Sequence, residues 1–185
     1  MDEQFLMRTT TPMKKLINAA WFQIGWWACI LGASHGQEVA ALVLCSVLIC
    51  LHLVYTDHMR QDIRLALIVL LIGIVTDSAF QFFSVISFYG WSLGPLSPFW
   101  LWMLWLMFAL TLRSSLAFLR NRLALSALMG LLFGPLTYLS GAKLGAAALD
   151  ASHIHIALIA LAWMVVLPAT VLLSQKISPT QKGCP

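Results

Sequence analysis

A single carboxylate lies inside a long apolar run of this sequence. Between Leu65 and Ile86, Asp77 is the only charged residue. An ionisable group within a membrane span is energetically costly, so it usually faces other helices, pairs with a partner or serves function. A carboxyl group can donate or accept a proton in a reaction. Asp77 is therefore the candidate catalytic residue, and the alternative is a hydrogen-bonded residue of the core.

Five other polar residues are candidates for binding a lipid headgroup or another substrate. They are Arg113, His52 and Gln23, at similar depths towards one membrane surface, and Tyr138 and Lys143, towards the other. A cationic side chain can hold a phosphate group, and the others can hydrogen-bond to it. The alternatives are that Arg113 extends its stem to the cytoplasmic surface and that the uncharged residues join helices by hydrogen bonds.

The rise of a helix separates Asp77 from Arg113. Arg113 lies about 8 Å, and Asp77 about 20 Å, from the inner boundary of the hydrocarbon layer. The resulting separation of roughly 12 Å exceeds the reach of a direct ion pair. We therefore expect the two residues to have different partners.

No residue spacing predicts a metal site or a cofactor. Cys29, Cys45 and Cys50 lie in apolar runs, where a free cysteine behaves as a small hydrophobic residue. His153 and His155 are two positions apart, which places them about 200° apart around a helix. They cannot both face one ion on a regular helix, so we expect neither a metal nor a cofactor.

The composition indicates that membrane helices must position these residues. The chain has 185 residues, of which 61% are hydrophobic and 10% are charged. About a quarter of the residues in a soluble domain are charged, which argues against a soluble fold. The net charge is +4, but the basic residues form no stripe of the kind that binds nucleic acid. We therefore expect membrane lipid, and no nucleic acid, as a partner.

Six apolar segments predict an all-α polytopic integral membrane protein with six transmembrane helices. The spans are predicted at about 16–34, 39–55, 65–86, 98–119, 123–139 and 153–174, within one transmembrane domain over 16–174. Tails are predicted at 1–15 and 175–185, the latter disordered. The predicted cytoplasmic side carries Arg8, Lys14, Lys15, Arg60, Arg64, Arg120, Arg122, Lys176 and Lys182, and the other side only Lys143. Excess Lys and Arg mark the cytoplasmic side, so both termini are expected there.

The fifth span contains helix-packing and helix-breaking residues. Gly130 and Gly134 form a GxxxG pattern, which allows two helix backbones to approach closely. Pro135 follows directly and leaves a backbone carbonyl that a neighbour must satisfy. We expect this span to be kinked and packed against another helix, and such helices can also line a binding site.

Three stretches together resemble one known family. They are WFQIGWWACILGA, LWLMFALTL and GPLTYLSGAKLGA. Over most of its length the chain resembles the bacterial inner-membrane family catalogued as domain of unknown function 2878. The resemblance implies a small multi-pass protein of the bacterial inner (cytoplasmic) membrane without an assigned reaction. Genes of that family often neighbour those of proteins similar to cyclopropane-fatty-acid synthases, which hints at lipid metabolism.

Three functions remain open from the sequence. The first is an accessory or lipid-binding component of lipid or envelope modification, which holds an acyl chain or a protein partner between its helices. The second is an intramembrane lipid-modifying enzyme that uses Asp77. The third is a small transporter that uses the interrupted fifth span and Asp77 and would need to dimerise. The oligomeric state is left open.

Overall fold

The computed structural model describes residues 3–150 and 152–177, with side chains from residue 12 onwards. Residues 178–185 of the predicted C-terminal tail, and with them its predicted disorder, lie outside the described residues. The described part contains α1 (Glu3–Ser34), α2 (Glu38–Tyr55), α3 (Met59–Phe82), α4 (Phe99–Leu112), α5 (Leu123–Lys143), α6 (His153–Ile177), β1 (Ser87–Phe88) and β2 (Ala147–Ala148). The predicted all-α class is confirmed, because the two strands have only two residues each.

Five of these six helices are long and apolar enough to cross a membrane, and α4 is the exception. In hydrocarbon each backbone N–H and C=O must be paired within the chain, so long apolar runs form helices. The first helix begins at Glu3, well before the predicted start of the first span, although its apolar part is Pro12–Ser34. The protein is thus a multi-pass membrane protein by the length and composition of its helices.

The fourth span, predicted over about 98–119, is α-helical only from Phe99 to Leu112, where α4 ends. Asn18 Oδ1 of α1 accepts hydrogen bonds from Ser115 N–H (3.3 Å) and Ser115 Oγ–H (2.7 Å). The Ser115 N–H therefore does not continue the hydrogen-bond pattern of the helix. Leu116 N–H donates to Thr111 O instead. The 14 residues of α4 rise only about 21 Å, less than the roughly 30 Å of a bilayer core. Turns and a short 3₁₀-helix (Ala117–Leu119) continue the chain.

The short α4 lies at the centre of the bundle. It packs against α1, α2, α3 and α6, while α5 and α6 form a closely packed hairpin. An apolar helix without a polar face is expected in a core, and Trp100, Trp105 and Met107 are almost completely buried. In the hairpin, a Cβ atom on Gly130 or Gly134 would collide with Trp163 of α6. The predicted close approach at the GxxxG pattern is therefore confirmed.

The two ends of the bundle differ in structure. At the loop end, β1 pairs antiparallel with β2, and Glu38 Oε2 accepts the Trp91 N–H at 2.8 Å. Gly90, at φ +116°, lies directly against the Glu38 carboxylate, where a side chain would not fit. The opposite end carries Lys14, Arg113 and Arg120 and is called the basic end below. Contacts at both ends show that successive helices alternate in direction.

Candidate functional site

Asp77 is completely buried between three helices. From α3, its Oδ2 accepts a hydrogen bond from Trp105 Nε1–H of α4 at 2.6 Å. Its Oδ1 accepts the hydroxyl hydrogen of Tyr138 of α5. Both carboxylate oxygens are thus used by aromatic side chains, and the three residues join α3, α4 and α5.

A groove lies beyond these two rings, between α1 and α5, with α4 as its floor. Its volume is about 550 Å³. Its lining includes Phe22, Gln23, Trp26 and Ile30 of α1, Leu104, Trp105, Phe108 and Thr111 of α4, Phe133, Gly134, Thr137 and Tyr138 of α5, and Trp163 of α6. We call it the aromatic groove. Trp105 and Tyr138 line it, whereas Asp77 lies behind them and does not.

Aromatic contacts fix the floor of the aromatic groove. The rings of Trp105 and Trp163 stack with centroids 5.2 Å apart and an angle of 10° between their planes. Phe108 meets Trp163 edge-on at a centroid distance of 5.7 Å. Because Asp77 also holds Trp105 by its Nε1–H, this ring is fixed by both its face and its edge. The floor of the groove is therefore preorganised.

The loop end of the aromatic groove is closed by the strand pair. Phe88 of β1 and Ala147 of β2 both line the groove. The Trp100 Nε1–H donates to Tyr89 O at 2.8 Å and holds the segment after β1 over the helices. Since Glu38 fixes the same segment through Trp91, the uncharged loop between β1 and α4 is held by hydrogen bonds at several points.

A polar cluster lies at the basic end around Asp62, a residue that the sequence pattern did not single out. Asp62 is 4% exposed, and its Oδ2 accepts the Thr56 Oγ1–H at 2.6 Å. Arg113 Nε lies 3.3 Å from Asp62 Oδ1, and His52 Nε2 lies 3.6 Å from Oδ2. Asp62 precedes the predicted third span, but it lies three and seven positions before Leu65 and Val69, which are buried. That helical spacing was the signal that could have identified it.

Arg113 pairs with Asp62 and not with Asp77, in agreement with the depth estimate. Its side chain is only 8% exposed, so it does not extend to the surface as the alternative interpretation held. Among the described residues, its Nη1 is buried without a hydrogen-bond partner. Asn18 adds to this region, because its Nδ2 lies 3.3 Å from His52 Nδ1. Arg113 and His52 are thus brought together with residues that the sequence analysis did not name.

A cavity of about 730 Å³ opens beside this cluster and is called the polar cavity. It is lined by Lys14, Ile17, Asn18 and Trp21 of α1, Leu110, Arg113, Ser114 and Arg120 at the end of α4, and His52, Tyr55, Thr56, Asp57, His58 and Asp62 from α2 to α3. On α1, its lining residues lie roughly 140° around the helix from those that line the aromatic groove. The first helix therefore separates the polar cavity from the aromatic groove.

The remaining predicted binding residues lie elsewhere. Gln23 is exposed and lines the aromatic groove, away from His52 and Arg113. Lys143 is exposed at the last residue of α5 and lines neither the polar cavity nor the aromatic groove. Tyr138 reaches the groove while it is hydrogen-bonded to Asp77. The five predicted binding residues thus divide between two separate sites and one surface position.

Cysteine and histidine form no metal centre in the part of the chain that is described. Within 3–150 and 152–177, no three His, Cys, Asp or Glu residues are placed to hold one ion. Cys29 and Cys45 are buried, with their Sγ atoms 3.4 Å apart. His155 Nδ1 lies 3.1 Å from Asp150 O at the start of α6.

Comparison with known proteins identifies the family of the chain. The family model of a protein of unknown function (DUF2878) matches residues 15–169. No curated protein and no solved structure matches the chain. The matched range includes Asp77 with its two aromatic partners and the cluster of Asp62 and Arg113. Because the match covers most of the sequence, the chain belongs to the family of proteins of unknown function DUF2878.

Proposed function

We propose that the protein is a lipid-binding component of the bacterial inner membrane that holds a lipid hydrocarbon chain in the aromatic groove. In this proposal it serves as an accessory in lipid or envelope modification, with both termini in the cytoplasm. The observation that carries the proposal is the aromatic groove itself, with its volume of about 550 Å³. This volume lies in the range of roughly 300–1,000 Å³ that is usual for small-molecule sites.

The lining of the aromatic groove suits a chain of methylene groups. Most lining residues are aliphatic, aromatic or glycine, and the polar ones, such as Gln23 and Thr137, are uncharged. Along α5 the groove extends from Met129 to Gly141, a rise of about 18 Å. This length is close to the hydrocarbon thickness of one leaflet, about half of the roughly 30 Å core. The groove also opens between α1 and α5, both of which are apolar enough to face lipid.

The affinity of this groove for a hydrocarbon chain depends on shape complementarity. A chain that moves from the bilayer into a protein groove gains little from the hydrophobic effect, because both surroundings are apolar. Close packing against a rigid surface is the remaining source of affinity. The hydrogen bond from Trp105 to Asp77 and the stacking of Trp105 on Trp163 provide such a surface.

This geometry favours a positioning role for Asp77 over acid–base chemistry. Its oxygens accept hydrogen bonds from Trp105 and Tyr138, and it has no exposed surface. A proton-transferring carboxyl group needs to come within hydrogen-bond distance of its substrate. The two rings stand between Asp77 and the groove, so the enzymatic alternative requires them to move.

The proposal is tested by photo-crosslinking in lipid nanodiscs with a phospholipid that carries a diazirine in its acyl chain. Thr137 and Leu136 are neighbours on α5 and are both exposed, but only Thr137 lines the groove. In the unmodified protein we expect labelling to concentrate on Trp163, which lines the groove and stacks on Trp105. Thr137→Trp fills the groove and should abolish this labelling, whereas the matched control Leu136→Trp should retain it.

The same experiment can refute the proposal. Labelling spread evenly over all lipid-facing helices would mean that the groove does not retain a chain. Equal labelling of Trp163 in Thr137→Trp and Leu136→Trp would also show that the groove does not retain a chain. Both variants need to elute as the same folded species as the unmodified protein in detergent.

A further inference from the structure

We propose that the polar cavity at the basic end is a binding site for a phosphate group, carried by a lipid headgroup or by a soluble phosphate ester. This site is separate from the aromatic groove, because α1 lies between them. The proposal therefore goes beyond the binding of a hydrocarbon chain and stands whether or not the groove holds one.

The first argument is the position and size of the polar cavity. It lies where α4 stops at Leu112, so the ends of α1, α2 and α3 enclose space that a longer helix would fill. Its volume of about 730 Å³ exceeds the requirement of a phosphate group with a glycerol moiety. Ile17, Trp21 and Leu110 form an apolar wall beside the polar cluster, which suits the first methylene groups of a lipid.

The second argument is the balance of hydrogen-bond donors and acceptors. Asp62 is fully engaged, since Thr56, Arg113 and His52 all approach its two oxygens. Arg113 is not, because its Nε lies 3.3 Å from Asp62 Oδ1 while its buried Nη1 donates to no described residue. A buried donor without an acceptor is costly. Arg113 lines the polar cavity and has donor capacity that Asp62 does not use, and phosphate oxygens are strong acceptors for arginine.

The third argument is charge. Three cationic residues line the polar cavity, Lys14, Arg113 and Arg120, against two carboxylates, Asp57 and Asp62. The cavity is thus positive even with neutral histidines. Lys14 Nζ lies 4.0 Å from Asp57 on strongly exposed side chains, and such a surface ion pair is weak. Lys14 can therefore turn from Asp57 towards an anion at the mouth of the cavity.

The experiment uses the full chain, purified in a neutral detergent, and compares four proteins. They are the unmodified protein, Lys14→Gln, the double variant Arg113→Gln with Asp62→Asn, and Arg64→Gln. The double variant removes the cationic donor without leaving Asp62 as a buried unpaired charge. Arg64→Gln is the matched control, because Arg64 is an exposed arginine on α3 outside the cavity. Lys14→Gln changes only an exposed side chain, so it reports on the cavity even if the double variant fails to fold.

Three probes separate the sources of binding: glycerol 3-phosphate, dioctanoyl phosphatidic acid and dioctanoylglycerol, which has no phosphate. The readouts are the shift in melting temperature and the bound mass in native mass spectrometry. We expect phosphatidic acid to stabilise the unmodified protein and Arg64→Gln equally. Its affinity should fall about tenfold or more in the double variant and by a smaller factor in Lys14→Gln. Dioctanoylglycerol should bind all four proteins alike.

The outcomes decide between the possibilities. Stabilisation by glycerol 3-phosphate with the same dependence on Lys14 and Arg113 identifies a soluble ester as a sufficient ligand. Stabilisation by phosphatidic acid alone identifies the lipid headgroup. Equal affinity of the phosphate probes for the unmodified protein and both cavity variants overturns the proposal, and so does the absence of binding. Binding of dioctanoylglycerol alone would support the aromatic groove while it refutes a phosphate site.

Discussion

Replacement of Asp77 by leucine or asparagine separates a positioning role from a chemical one. In Asp77→Leu, the Trp105 Nε1–H and the Tyr138 O–H lose their acceptor. A buried polar group without a partner costs about 1–3 kcal/mol, so two of them cost about 2–6 kcal/mol. In Asp77→Asn, the amide oxygen can accept from Trp105 and the amide nitrogen can donate to the Tyr138 oxygen. The Tyr138 O–H still loses its acceptor, so we expect this variant to lose about 1–3 kcal/mol of unfolding free energy, less than Asp77→Leu.

The free energy of unfolding is measured by titration with dodecyl sulfate in mixed micelles, followed by tryptophan fluorescence and circular dichroism. Val75→Leu is the control, since Val75 lies two positions before Asp77 and is mostly exposed. A surface substitution of this kind should change stability by no more than about 0.5 kcal/mol. The crosslinking experiment is then repeated on the folded variants, and we expect Asp77→Asn to retain chain labelling in the groove.

Two results would refute the reasoning about Asp77. If Asp77→Leu were as stable as the unmodified protein, the hydrogen bonds to Trp105 and Tyr138 would not hold the groove together. If Asp77→Asn folded normally but its cells showed the lipid profile of a strain that lacks the protein, the carboxylate itself would be required. The second result would favour the enzymatic function over the accessory one.

Two further predictions test the packing of the bundle. Gly130→Ala should destabilise the α5–α6 hairpin by about 1–3 kcal/mol, because the added Cβ meets the Trp163 backbone carbonyl. In the same unfolding assay, Gly141→Ala should have a smaller effect, because its Cβ meets only the end of a side chain at 3.2 Å. Equal losses of stability in the two variants would contradict this prediction. Glu38→Ala should raise amide hydrogen exchange at Trp91, whose N–H loses its acceptor, and unchanged exchange there would show that the carboxylate does not hold the loop.

The end of α4 links the fold to both candidate sites. Asn18 Oδ1 accepts hydrogen bonds from the Ser115 N–H and hydroxyl, and α4 ends just before this contact, at Leu112. The space beyond Leu112 then becomes part of the polar cavity, with Arg113 in its wall. On the other side of α1, Ser115 lines the aromatic groove. Asn18 of the first helix thus contacts the chain just beyond the end of α4 and also lines the polar cavity there.

The sequence by itself determined that the chain forms membrane helices and where most of them lie. A run of about 20 apolar residues in hydrocarbon has to satisfy its own backbone, and a helix does so whatever its neighbours are. Five of the six helices follow from this rule. Asp77 was also identifiable as a candidate from the sequence, because a charged group inside a membrane span is costly. The family was also recognisable from the sequence alone.

Only the tertiary structure decided which side chains meet. Asp77, Trp105 and Tyr138 come from three helices. Trp105 lies 28 positions, and Tyr138 61 positions, after Asp77 in the chain. Their contact depends on the rotation and the lateral order of the helices, which side-chain packing sets. Apolar helices without a polar stripe carry no periodic signal that reveals this rotation. For the same reason the early end of α4 and the pairing of Asp62 with Arg113 had to be seen in three dimensions, since each depends on a residue from another helix.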